Sequence, residues 1–183
     1  MLTFEEDTLS NAAIIVIDLQ PLFTKNITDE QYKDRVNTCM QFMRSKLPPD
    51  RIIHLRADYS NSPMSCCTLR PTAQRPTDTI ATDWAREEQS ELVVTKNTVN
   101  GFHNTELEAY LHTHNVKTLF MIGMLTAACV HETAIGAMNR GFFPILIEEC
   151  CIDKTPERQA AVFALYKDYL YQTISLSELL SSL

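Results

Sequence analysis

The sequence predicts an α/β fold around a mostly parallel sheet of six strands. Short apolar runs alternate with stretches of helical periodicity, the pattern of βαβ units. The first run, Ala12 to Ile17, lacks polar alternation, as expected of a strand covered on both faces. With 183 residues, 45% of them apolar, the chain is expected to form one domain over residues 1–183 with a sizeable core.

The elements follow in order. After the first strand, Thr28 to Lys46 reads as a helix. Thr28 is its expected N-cap, Gln31 completes a capping box, and Tyr32, Val36, Met40 and Met43 keep the helical period. Arg51 to Ala57 is the second strand and Leu92 to Thr95 the third. A shorter helix covers Thr105 to His114. Thr118 to Ile122 is the fourth strand. The helix after it, Ala127 to Arg140, takes Thr126 as N-cap and stops at Gly141, a residue suited to the left-handed C′ position. Phe143 to Ile147 is the fifth strand. Thr155 caps a helix with Pro156 at its first position, running to about Leu170. Tyr171 to Ile174 is a weaker sixth strand. Between Asp58 and Asp78 lies a proline- and hydroxyl-rich loop, and long loops in compact domains tend to carry function.

Charge and composition narrow the function. The net charge of -7 and the lack of a basic stripe argue against a nucleic-acid partner. No window nears the ~18 apolar residues of a membrane span, and Ala12 to Ile17 is too short for a signal-peptide core, so a cytoplasmic protein acting on a small molecule is expected. The six cysteines include no C-x-x-C pair, and a chain of this length does not depend on disulfides. No histidine pair has metal-ligand spacing, so neither a metal nor another cofactor is expected.

Ligands of open parallel sheets bind outside the carboxyl ends of the strands. There the first strand ends in Asp18, the third in Lys96, and the fourth leads through Gly123 to Cys129 at the start of a helix. A thiol attacks as thiolate, and both a helix start and a nearby lysine favour that form. Asp18, directly after six apolar residues, needs a partner if buried, and can serve as general base. Among possible histidine partners, His131 lies two residues along the same helix and faces away from Cys129. His54 reads as a satisfied core residue, while the spacing leaves His103 open. Phe23, Trp84 and Phe102 are candidate aromatic walls, and Arg56, Arg70 or Arg75 could clamp a carboxylate.

Three motifs together resemble the isochorismatase-like hydrolase superfamily. They are Ile14-Ile15-Val16-Ile17-Asp18-Leu19-Gln20 with Phe23, then Lys96 with Phe102, Thr105 and Leu107. The third is Gly123-Met124-Leu125-Thr126-Ala127-Ala128-Cys129-Val130 with Thr133, Ala134, Ala137 and Gly141. The resemblance implies a three-layer, Rossmann-like sandwich with helices on both sheet faces. It implies a catalytic triad of Asp18, Lys96 and Cys129, a cis peptide between Met124 and Leu125, and an oxyanion hole from the Leu125 and Cys129 N–H groups. It also implies a dimer or tetramer. Nicotinamidases of the superfamily carry an Asp-x-His metal motif after the second strand. Here Asp58-Tyr59-Ser60 lacks the histidine, which argues against zinc. Glu149 stands where many relatives have Asp.

The resulting expectation is a cysteine hydrolase that opens a C–N bond of a small amide, carbamoyl or ureido substrate through a thioester. Two alternatives are a vinyl ether hydrolase that uses Asp18 as acid, and an idle family member that acts as a binding protein.

Overall fold

The computed structural model describes residues 9–69 and 79–182. Arg70 and Arg75, together with the end of the proline-rich loop, lie outside the described residues. Six strands form one sheet: β1 (Ala12–Ile17), β2 (Ile52–Ala57), β3 (Leu92–Lys96), β4 (Thr118–Met124), β5 (Phe143–Ile152) and β6 (Gln172–Ile174). Their spatial order is β3-β2-β1-β4-β5-β6, and every pairing is parallel.

Strand alternation divides the core into two layers. Ala12, Ile14 and Val16 of β1 join Phe120 and Ile122 of β4 on one face, against α2 (Tyr32–Lys46) and α7 (Leu176–Ser182). Ala13, Ile15 and Ile17 join Leu119 and Met121 on the other, against α4 (Leu107–Thr113) and α5 (His131–Met138). All six residues of β1 are buried because both faces are covered. The remaining helices are α1 (Pro21–Thr24), α3 (Ser65–Thr68) and α6 (Pro156–Tyr166). Among the described residues, no helix is long and apolar enough to cross a membrane.

Several boundaries differ from the sequence reading. The first long helix starts at Tyr32, not Thr28. Gln31 holds the N-cap position without a side-chain cap, and Asp29 Oδ1 accepts the Gln31 N–H at 3.0 Å in the turn before it. The segment after β4 opens as one π-helical turn, Thr126–Val130, before α5 begins. Thr126 is not its N-cap: Leu125 holds that position, and the Ala127 N–H is taken by Asp153 Oδ2 at 2.6 Å. Past α5, the Gly141 and Phe142 N–H groups bond Met138 and Ala137 carbonyls with Gly141 at φ +81°, the Schellman arrangement expected of a C′ glycine. β5 runs five residues beyond the reading, through Glu148 and Glu149. Their charges do not end the strand because each carboxylate has a partner: Lys167 and Thr173 for Glu148, the Leu176 N–H for Glu149. Thr155 caps α6 as expected, accepting the Arg158 N–H, although the helix ends at Tyr166.

Candidate active site

The order β3-β2-β1-β4-β5-β6 reverses direction between β1 and β4, and the crevice at their carboxyl ends is where such sheets bind ligands. Asp18 follows β1 in the left-handed region, at φ +53°. Its N–H bonds the Leu55 carbonyl at 3.0 Å, which fixes it to the end of β2. Gln20 clamps the same strand, exchanging two side-chain hydrogen bonds with the backbone of Ala57 at 2.8 and 3.1 Å. The Asp58 N–H in turn bonds the Lys96 carbonyl at 2.9 Å, so the exits of β1, β2 and β3 are tied together.

Lys96 ends β3, two strands from β1 and so about 10 Å away across the sheet. Its long side chain spans that distance. The ammonium donates to Asp18 Oδ2 at 2.8 Å, to the Thr98 carbonyl at 3.2 Å and to the Tyr59 hydroxyl at 3.4 Å. Both members of the Lys96–Asp18 pair are buried. Burial works to lower the pKa of the ammonium, but Asp18 and then Cys129 together outweigh it and hold the group above its ordinary value. Asp18 Oδ1 is buried and has no hydrogen-bond partner.

Cys129 is buried within the π turn, and its Sγ lies 3.4 Å from the Tyr59 hydroxyl. The expected bias toward thiolate is reversed. Burial, and then the negative charge of Asp18, push the thiol up to about 12, against the opposing pull of Lys96. The two favourable influences named from the sequence are weaker than desolvation here.

The peptide between Met124 and Leu125 is cis. Just before it, Gly123 adopts φ +121°, and a Cβ there would stand 2.1 Å from the Ile17 carbonyl oxygen. Only glycine allows β4 to pass this close to the end of β1. Beside Met124 and Leu125 opens a cleft of about 770 Å³, also walled by Phe23, Ile27, Ile152 and Phe163.

The expected accessory residues divide. Phe23 borders the cleft. Trp84 packs edge-on against Tyr32, with ring centroids 6.1 Å apart. Phe102 is a core residue stacked on Phe142 at 5.7 Å, under the Arg140 guanidinium. Arg56 is buried and already held by Glu87 and the Thr79 carbonyl, so its guanidinium is committed within the fold. His54 is buried and bonded to Glu91 at 2.8 Å, as a satisfied core histidine should be. His131 faces Tyr171 and Tyr166, away from the thiol. His103 is exposed and contacts Asn104.

Two residues escaped the sequence reading. Tyr59 stands two residues past the end of the second strand, at the crevice side of the sheet; that position was its only signal. Asp153 was overlooked in favour of Glu149. Its side chain is fully buried, and it accepts the Ala127 and Lys154 N–H groups and the Arg158 guanidinium. Glu149 instead caps the start of α7.

A buried ion pair beside a thiol thus stands at the strand-order reversal of a parallel α/β sheet. The chain belongs to the isochorismatase family, whose domain matches residues 12–178. It is 34% identical over 89 residues to N-carbamoylsarcosine amidase of an Arthrobacter species, covering 44% of this chain and 34% of that protein. It is 31% identical over 80 residues to maleamate amidohydrolase of Pseudomonas putida, covering 43% and 38%. The matched stretches thus span just over a third of each relative. Among solved structures, an isochorismatase-like hydrolase from Alkaliphilus metalliredigens superposes with a TM-score of 0.77 at 18% identity, over 94% of this chain and 98% of that one. An N-carbamoylsarcosine amidase from Thermoplasma acidophilum gives 0.72 at 21% identity, over 92% and 98%. At these identities the superpositions establish the fold.

Proposed function

We propose that this chain is a cysteine hydrolase that opens a non-peptide C–N bond in a small amide, carbamoyl or ureido substrate. The observation that carries the reading is the buried Asp18–Lys96 pair next to Cys129, with one carboxylate oxygen left without a partner. A buried carboxylate oxygen is costly to leave unbonded, and a proton to accept would remove that cost. The relatives named as amidases and amidohydrolases support the same bond type.

In the proposed reaction Asp18 takes the thiol proton as sulfur attacks the carbonyl carbon. The Leu125 and Cys129 N–H groups receive the oxyanion. Asp18 returns the proton to the leaving nitrogen, the C–N bond breaks, and a thioester remains. Water, deprotonated by Asp18, hydrolyses it and releases the acid. Lys96 holds the Asp18 carboxylate in place throughout. The cleft beside Leu125, with Phe23 in its wall, receives the rest of the substrate.

The test is a screen of small amides and ureido acids against the native chain and Cys129→Ala. Native turnover that Cys129→Ala abolishes, with the thermal midpoint unchanged, supports the scheme. Turnover that survives the substitution sinks it, and hydrolysis of a vinyl ether by that variant would favour acid catalysis by Asp18 instead.

A further inference from the structure

Tyr59 lies in the loop after β2 and belongs to none of the roles assigned above. It stands at the centre of the polar cluster. Its hydroxyl receives the Lys96 ammonium at 3.4 Å and lies 3.4 Å from Cys129 Sγ. The Lys96 ammonium donates to Asp18, Thr98 and Tyr59, and its charge also acts on Cys129. Lys96 therefore donates to the phenol oxygen, which leaves the phenol's own hydrogen to point elsewhere. A thiolate accepts hydrogen bonds only, so once the thiol proton has gone, the phenol is placed to donate to it alongside Lys96.

The ring is fixed. It is 7% exposed and packs with Ala57 and Cys67, flanked by Phe23 and Met64. The Lys96 ammonium sits 5.5 Å from its centroid. We infer that Tyr59 is a positioning residue for Cys129, oriented by Lys96 so that its O–H donates to the sulfur as the thiolate forms. The step balances simply. The S–H bond breaks, an O–H bond forms on Asp18, the electron pair stays on sulfur, and Tyr59 keeps its proton. Burial and the charges of Cys129 and Asp18 hold the phenol well above its ordinary pKa, so it remains a neutral donor. Of the neighbours acting on the thiol, Tyr59 works with Lys96 to lower its pKa.

The inference rests on Cys129 being the nucleophile, and its test needs no substrate. Iodoacetamide alkylation of Cys129 is followed by mass spectrometry against pH in the native chain, in Tyr59→Phe and in Tyr59→3-fluorotyrosine. The phenylalanine variant keeps the ring and loses the donor. Its rate at fixed pH should fall about tenfold, equivalent to a thiol pKa about one unit higher. The fluorinated phenol is a stronger donor and should react faster than native. A mere packing role would not move the two variants in opposite directions. If Tyr59→Phe fails to fold, the fluorotyrosine variant decides alone, since it keeps both shape and hydroxyl. Alkylation that rises with pH but ignores both changes overturns the role of Tyr59 and leaves the nucleophile standing. A native Cys129 that never alkylates overturns both.

Discussion

The Cys129 thiol shows how a single residue is set by competing influences. Burial and Asp18 disfavour the anion, Lys96 and Tyr59 favour it, and the first pair dominates, raising the thiol to about 12. The resting thiol is thus biased toward its protonated form, and in the proposed reaction proton transfer to Asp18 accompanies attack. Because the pKa is raised, reactivity should grow as pH rises: the rate of Cys129 alkylation should climb through pH 8.5, the ordinary thiol value, without levelling off. A plateau below that value would mean that Lys96 and the helical turn prevail over burial.

At the scale of elements, two buried carboxylates connect segments that the chain separates. Asp153 ties the end of β5 to the π turn that carries Cys129. Asp153→Ala strips the Ala127 and Lys154 N–H groups of their acceptor. The expected cost is about 1–3 kcal/mol by denaturant titration, with a loss of activity larger than that drop in stability explains, because the turn presents both Cys129 and the proposed oxyanion donors. Glu91 does similar work between α2 and β2. It accepts from Arg44 at 2.7 and 2.9 Å, from His54 at 2.8 Å and from the Glu88 N–H at 3.0 Å. Burial would raise its carboxyl, but these donors outweigh burial and bring it to about 2, from 4.5. A depressed carboxyl contributes stability above its unfolded value and loses it as pH falls through the folded one. Glu91→Ala should thus cost about 3 kcal/mol at neutral pH. The gap from the native chain should close between pH 4.5 and about 2, as read from urea unfolding at several pH values.

For the whole molecule, stability sits in the two apolar layers and the candidate site at the sheet edge between them. Phe120, fully buried in the centre of β4, belongs to the layer under α2 and α7. Phe120→Ala should cost about 3–5 kcal/mol. Tyr169, 80% exposed, should tolerate Ser within about 0.5 kcal/mol. Thermal unfolding of the two variants compares them directly, and similar losses would mean that the sheet is not the main source of stability. The same layering rigidifies the three strand exits, so Asp18, Lys96 and the Cys129 turn are held by separate strands of one body.

How much of this was legible beforehand depended on the range of the interaction. The inner strands β1 and β4 could be read because burial on both faces leaves nearly uninterrupted apolar runs, and α2 because Tyr32, Val36, Met40 and Met43 keep one period. The short helices α1 and α3 have too few turns to show a period. α7 did leave a local sign: Ser175 and Glu178 exchange backbone and side-chain hydrogen bonds as a capping box. Asp18, Lys96 and Cys129 were found by their places at strand ends, and motif resemblance added Leu125. Sequence by itself determined the α/β class, the strands and the residues available at the site, because these follow from local pattern and strand position. Tertiary structure alone decided that Tyr59 bridges Lys96 and Cys129, that Asp153 anchors the turn carrying Cys129, and that Arg56 and Phe102 serve the fold. It also decided that the thiol pKa is raised and not lowered, since desolvation and contacts between distant segments exist only once the chain has folded.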